Sequence, residues 1–442
     1  MWRFGDLWGR GRVLAVAALL CLAVQLSAQQ PNADERALAT FVNAHNAEGL
    51  ALLERVVNIN SGTQNFAGVR EVGRIFRAEL DALGFKTEWV AQDAVKRGGH
   101  LVADHPGPGP RLLLVGHLDT VFEKDSSFQK FERIDAKTAK GPGVIDMKGG
   151  DVVIIQALKA LQSIGALKSM NVVVVMTGDE EDGGRPLATA RAALVAAAKG
   201  AEVAIGFEDG DGDPAHAVVA RRSSLSWQLD VTGTPAHSSQ IFSEPVGAGA
   251  IFEAARILNA FREKLSAEPH LTFNPGAITG GTSADLDPVQ VRGSAFGKTN
   301  VVAEHAHVIG DLRALTPEQV AHAQETMKAV VAASLPRTKA TIAFGEGYPP
   351  LAPTDGNSKL LAIYSRASED MGLGPVTAVN PDKAGAADVS FVAGHAKMII
   401  DAVGLKGHDD HTTGETADLS TLPVQATRAA VTLLRLSKRL RE

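Results

Sequence analysis

The spacing of apolar positions changes along this chain, and the changes divide it. Residues 34–57 alternate apolar and polar positions at helical spacing. Val69 to Leu83 repeat that spacing and end at Gly84, a natural helix stop. Thr87 to Ala91 and Leu101 to Asp104 read as strands, and Pro106 to Pro110 as a turn. Leu112 to Gly116 is short and wholly apolar, as expected of a parallel strand buried on both faces. Val152 to Leu161 reads as helix, Val172 to Met176 as strand, Arg185 to Ala198 as an Ala-rich helix and Val203 to Gly206 as strand. This alternation predicts an α/β fold, with a mixed, largely parallel sheet and helices on both faces.

After Ala217 the period shifts. Ser226 to Thr232 alternates, with Trp227, Leu229 and Val231 on one face, as in a half-exposed antiparallel strand. Pro245 to Leu265 is helical, 271–280 and 299–313 read as strands, and Pro317 to Ala333 as a helix. Lys359 to Met371, Met398 to Val403 and Leu422 to Leu440 then return to the α/β pattern. The expected organisation is a first domain over 29–220, an inserted α+β domain over 221–335, and the rest of the first domain over 336–442.

Residues 1–28 stand apart. Arg3, Arg10 and Arg12 precede the apolar run Val13 to Val24, and Leu26-Ser27-Ala28 offers a cleavage site before Gln29. The run is short for a membrane span. It reads as a secretory signal peptide, with an uncleaved anchor as the alternative. The only cysteine, Cys21, lies inside it, so the remainder has no thiolate ligand and no disulfide. Export without disulfides predicts a periplasmic or secreted protein with no stable membrane insertion. Three of the 44 Lys/Arg and one of the 50 Asp/Glu lie in this segment, so its removal takes the net charge from -6 to -8. No basic patch points to nucleic acid. The remaining length, about 410 residues, is too great for one ordinary core.

The chemistry collects at loop positions. Glu180-Glu181 follows the apolar stretch ending at Met176, and adjacent residues of extended chain point opposite ways. One acid can therefore hold a metal while the other faces substrate as a base. His117 and Asp119, two residues apart at a strand end, share a face. Asp119 can accept the second ring N–H of His117 and fix its tautomer. Asp146 lies in the Gly-rich turn 141–150, which leads into a helix; Glu208 follows the strand Val203 to Gly206. The acids Asp209, Asp211 and Asp213 read as a solvated loop. His411 lies in a run that also holds a competitor, His408.

Taken in order, Gly-His117-Leu-Asp119-Thr-Val, Gly-Pro-Gly-Val-Ile-Asp146-Met-Lys-Gly-Gly, Gly-Asp-Glu180-Glu181, Phe-Glu208, Thr-Gly-Thr-Pro-Ala-His237-Ser and His411-Thr-Thr-Gly-Glu415 resemble the zinc metallopeptidase family of glutamate carboxypeptidase (carboxypeptidase G type), aminoacylases and related dipeptidases. The resemblance implies a zinc-exopeptidase-like fold and two Zn2+ per subunit, with Co2+ or Mn2+ as substitutes. His117, Asp146 and Glu208 would hold one ion; His411, Asp146 and Glu181 the other, Asp146 bridging. A metal-bridging hydroxide would attack the amide, with Glu180 as general base and Asp119 as support. It also implies a homodimer whose inserted domain serves as lid and dimerisation domain, His237 acting as an oxyanion donor in the partner's site. Asn300 and Arg313 match positions that hold a terminal carboxylate. Gly385 lies in Gly385-Ala-Ala-Asp388, which resembles a substrate loop but has Ala where carboxypeptidase G-type enzymes have more Gly. The implied activity is removal of a C-terminal amino acid from a small peptide or N-acyl amino acid. An aminoacylase, a dipeptidase of the same family and, more distantly, a non-catalytic metal-binding protein are the alternatives.

Overall fold

Two neighbouring strands, Arg111–His117 and Asn171–Thr177, are apolar at most positions because both of their faces are covered. In the computed structural model, which describes residues 30–439, successive side chains enter opposite cores. Leu112, Leu114, Val172 and Val174 enter the larger; Leu113, Val115, Val173 and Val175 enter the smaller. Helices Phe66–Ala82, Lys148–Ser163 and Thr421–Arg439 pack into the larger core. Helix Ala192–Ala198 and the turn Asp388–Val392 cover the other face. The six-stranded sheet runs Lys86–Gln92, Arg97–His105, Asn171–Thr177, Arg111–His117, Val203–Gly206, Met398–Ile400. Its first two pairings are antiparallel and the remaining three parallel. The expected signal segment lies outside the described residues. Among the described residues no helix is long and apolar enough to cross a membrane.

A second sheet has its own core. Its order is Thr272–Gly281, His305–Arg313, Leu225–Thr232, Lys339–Phe344, all antiparallel. Trp227, Leu229 and Val231 face helices Gly249–Leu265 and Pro317–Ala332. The strand Lys339–Phe344 carries this sheet past residue 335, the boundary expected from the sequence. Its alternation was too short to stand out, and its pairing with Leu225–Thr232 reveals it. The hairpin Ser283–Asp287 with Arg292–Phe296 is likewise additional.

Two predicted helices are broken. Within 34–57 the chain turns at His45, whose ring stacks on Phe41 at 3.9 Å and bonds the Phe41 carbonyl at 2.9 Å. Within 185–198, Pro186 delays the start and Arg191 separates Leu187–Ala190 from Ala192–Ala198. The connections entering and leaving the second sheet lie side by side: Ser224 pairs Tyr348 and Arg221 pairs Leu351.

Candidate active site

Three parallel strands end together, and acid and imidazole groups follow their ends. His117 closes Arg111–His117; Glu180 and Glu181 follow Asn171–Thr177; Glu208 lies two residues past Val203–Gly206. Ligand crevices of open α/β sheets lie at the carboxyl ends of the strands. The loop before helix Lys148–Ser163 brings Asp146 across, and the loop after Gly407–His408 brings His411.

Asp146 stands between two groups. Its Oδ1 lies 3.0 Å from His117 Nε2, and its Oδ2 lies 2.9 Å from His411 Nε2. Glu208 Oε1 is 3.7 Å from His117 Nε2, and Glu181 Oε2 is 3.1 Å from His411 Nε2. His117, Asp146 and Glu208 thus converge, as do Asp146, Glu181 and His411, each set with one atom per residue within 4.8 Å. His408 belongs to neither set. Imidazole and carboxylate donors without thiolate suit Zn2+ and admit Co2+ or Mn2+. One oxygen of Glu181 is buried with no hydrogen-bond partner, a need that a coordinated cation would meet.

Burial pushes Glu208 well above the ordinary carboxylate range, and Glu181 up to about 7. Burial also raises Glu180 well above it, against the pull of His117. Burial alone would raise Asp146, but His117 and His411 hold it low. Hydrogen bonds to Asp146 and Glu181 lift His411 to about 11. His117 and His411 face the same carboxylates that would hold cations, and bound cations would reverse this pattern for the carboxylates.

Asp119 does more than face His117. Its carboxylate accepts the amide N–H groups of Glu180 at 3.0 Å and Glu181 at 3.1 Å, and the Thr63 hydroxyl at 2.6 Å. Its Oδ1 is 3.5 Å from His117 Nδ1, while its own backbone carbonyl is nearer, at 3.1 Å. Burial opposes its charge, yet His117 first, then the Thr63 hydroxyl and the Glu180 amide, hold it below the ordinary range. Glu415 is buried and accepts three amides of the Asp146 loop, from Gly143, Ile145 and Asp146.

A cavity of about 150 Å³ opens beside these groups, walled by Glu180, Glu208, Asp209, Arg221, Gly385 and Asp410 among others. Asp209, read from sequence as part of a solvated loop, is on this wall. A Cβ built on Gly385 meets no atom within 4 Å, so the glycine leaves space rather than satisfying a packing need. Arg221 donates to Asp401 and to the Gly385 carbonyl, so its fork is engaged with protein acceptors. Asp410 and Arg221 escaped the sequence reading; their only signal was a position beside His411 or in an Arg-Arg pair.

The structure does not bring His237, Asn300 and Arg313 to this cavity. His237 is exposed, 2.8 Å from Ser239 Oγ, and bridges Val301; the Asn300 carbonyl accepts the Ser238 amide. Arg313 bonds Asp311 at the opposite end of His305–Arg313. That nine-residue strand spans roughly 26 Å, so one chain cannot place Asn300 and Arg313 on the same carboxylate. The Arg313 end adjoins the connection to the first sheet, where Ala314 and Ser223 exchange hydrogen bonds.

The model of peptidase family M20/M25/M40 matches residues 113–435. The chain belongs to this family. It is therefore a metallopeptidase, a hydrolase of amide bonds, in a family that binds dinuclear metal. Carboxypeptidase G2 of Pseudomonas sp. (strain RS-16) is 25% identical over 423 residues, covering 94% of this chain and 96% of that protein. Aminopeptidase PepT of Bacillus cereus ATCC 10987 superposes with a TM-score of 0.70 at 21% identity, covering 89% of this chain and 99% of that one. YXEP of Bacillus subtilis, described as a dinuclear metal-binding M20 peptidase, gives a TM-score of 0.61 at 16% identity, covering 90% and 99%. These M20 structures share the mixed α/β fold of the chain.

Proposed function

We propose that this M20 chain is an exported di-zinc carboxypeptidase that removes a C-terminal amino acid, glutamate in type, from a small peptide or N-acyl amino acid. The carrying observation is Asp146, with one oxygen toward His117 and the other toward His411, and Glu180 on the wall of the same cavity. Two divalent ions, when bound, polarise the scissile carbonyl and lower the pKa of a water from about 15.7 toward about 7. Glu180 takes the proton of the attacking water and delivers it to the leaving nitrogen. Asp119 holds the main chain of Glu180 and Glu181 in place through their two amides.

Arg313 is proposed to take the substrate's terminal carboxylate, which its planar fork matches. Arg313 lies outside the cavity wall but at the end of the second sheet nearer the first, and is assigned to a substrate that extends from its own chain's cavity. His237 and Asn300, at the other end, serve the cavity of a partner subunit. The coverage of carboxypeptidase G2 supports the carboxypeptidase reading.

A second reading, hydrolysis of free dipeptides, is favoured by Asp209 and Asp410. Two acids on the cavity wall, with Arg221 already engaged, suit a substrate ammonium better than an acyl group. The test is kcat/KM on X-Glu dipeptides with the amine free or acetylated and the carboxylate free or amidated. The proposal expects amidation to abolish most turnover of the wild type, and Arg313→Ala to lose roughly 30-fold or more on the acid but little on the amide. Equal loss on both would make Arg313 a fold residue. Preference for the amide would overturn the carboxypeptidase reading. Strong preference for the free amine would select the dipeptidase.

A further inference from the structure

Arg191 lies in a stretch of alanines, yet its side chain is buried. Nε donates to Asp388 Oδ1 at 2.7 Å and Nη1 to Asp179 Oδ1 at 2.6 Å. Nη2 donates to the Asp179 carbonyl at 2.9 Å and to the Tyr348 hydroxyl at 2.6 Å. The Tyr348 hydroxyl donates its own proton to the Glu180 carbonyl at 2.7 Å. Asp388 accepts from the Thr177 hydroxyl, and Asp179 from the Gly184 amide. The guanidinium also lies over the rings of Tyr348 and Phe391, at 5.5 and 5.4 Å.

These contacts gather three segments of chain. One is the strand end 177–181, which carries Glu180 and Glu181. The second begins at Asp388, next to the cavity wall Gly385–Ala387. The third is the connection returning from the second sheet, where Tyr348 pairs Ser224. Asp119 holds the Glu180 main chain by its N–H, and Tyr348 holds it by its carbonyl. The peptide units on both sides of Glu180 are therefore fixed from opposite directions.

A buried guanidinium is costly unless its donors are satisfied. Here two carboxylates, a carbonyl and a hydroxyl satisfy them. An arginine at this depth joins segments that an apolar residue of similar volume would leave unlinked. We infer that Arg191 and Tyr348 are positioning residues for Glu180, setting the direction of its carboxylate from behind the loop. The inference rests on Glu180 being the general base. Neither side chain lines the cavity. Their effect belongs to the transition state, because a base displaced by about 1 Å can cost about 10²-fold in rate.

Tyr348→Phe removes one hydroxyl and keeps the ring, so it tests the inference with little threat to folding. In the metal-loaded enzyme, acting on the best substrate of the dipeptide and N-acyl panel, kcat should fall about 10- to 100-fold. KM should stay within about twofold and both metals should be retained. Arg191→Lys should recover more activity than Arg191→Met, because an ammonium keeps the charge and part of the donor set. Independently of turnover, amide hydrogen exchange in 177–184 should quicken in Tyr348→Phe while the rest of the first domain keeps its protection. The deciding measurement is Tyr348→Phe in a Glu180→Gln background. A residue acting through Glu180 should cost nothing further there, whereas an independent structural role should multiply the losses. Multiplying losses, or an unchanged kcat in Tyr348→Phe, overturn the positioning role. Near wild-type kcat in Glu180→Gln alone instead overturns the base assignment on which it rests.

Discussion

At the scale of single residues, Asp146 carries the argument because its two oxygens face different imidazoles. Asp146→Ala should deplete both metal positions, whereas His411→Ala should mainly weaken one. His408→Ala should keep both, since His408 lies outside both donor sets. Metal analysis of the purified variants decides; two ions retained in Asp146→Ala would refute bridging. The protonation of the centre adds a pH dependence. Without cations His117 and His411 both lie above the ordinary imidazole range, His411 at about 11, so each carries a proton at neutral pH. A bound ion must expel that proton. Apparent metal affinity should therefore rise with pH and fall on acidification, by up to about tenfold per pH unit for each proton displaced. Competition with a chelating indicator at pH 6 and pH 8 measures it, and equal affinity at the two would show that no proton leaves.

At the scale of elements, the centre depends on loops held from outside. Glu415 binds three amides of the Asp146 loop, across 269 to 272 residues of sequence. Glu415→Gln would turn an NH2 toward these donors and loosen the loop. Metal affinity should drop by about 10- to 100-fold, the range for groups that orient ligands, with the melting temperature much less affected. Unchanged affinity would show that the loop holds its own shape. The same distances explain what the sequence made legible. Strands Arg111–His117 and Asn171–Thr177 are wholly apolar over several residues, and that pattern is local. His117, Glu180, Glu181 and Glu208 come just after or at such strand ends, so their shared edge of the sheet could be anticipated. Arg191 and Tyr348 could not, because the links from Arg191 to Tyr348 and from Tyr348 to Glu180 span 157 and 168 residues and each is a common residue in an ordinary context. The break at Arg191 was hidden for the same reason: local propensity favours one Ala-rich helix, and the buried acids Asp179 and Asp388 override it.

At the scale of the molecule, the two ends of the second sheet face different tasks. The Arg313 end adjoins the first sheet, and the end bearing His237 and Asn300 lies roughly 26 Å away along the strand. Near that far end the surface is apolar: Phe242, Ile251, Phe252 and Ile278 are each at least half exposed. Phe242 and Phe252 pack ring to ring at 5.5 Å. Thr272–Gly281 is an edge strand of the same sheet. Exposed apolar side chains near an edge strand are what a docking surface would present. The proposed occupant is a second copy, because a copy docked there brings His237 and Asn300 within reach of another cavity. This gives a test that needs no structure of the dimer. His237→Ala and Glu180→Gln subunits should each be nearly inactive as pure dimers. After subunit exchange, a mixed dimer holds one cavity with both an intact Glu180 and an intact His237 from its neighbour, and one cavity with neither. With random exchange, half of the dimers are mixed and each has one of its two sites complete, so activity should approach a quarter of the wild type. Phe252→Asp, which places a charge in the apolar patch, should give monomers by sedimentation and abolish recovery while leaving the metal content intact. No recovery despite demonstrated exchange would mean that His237 serves its own chain or none, and a wild-type monomer that is fully active would remove the partner from the mechanism.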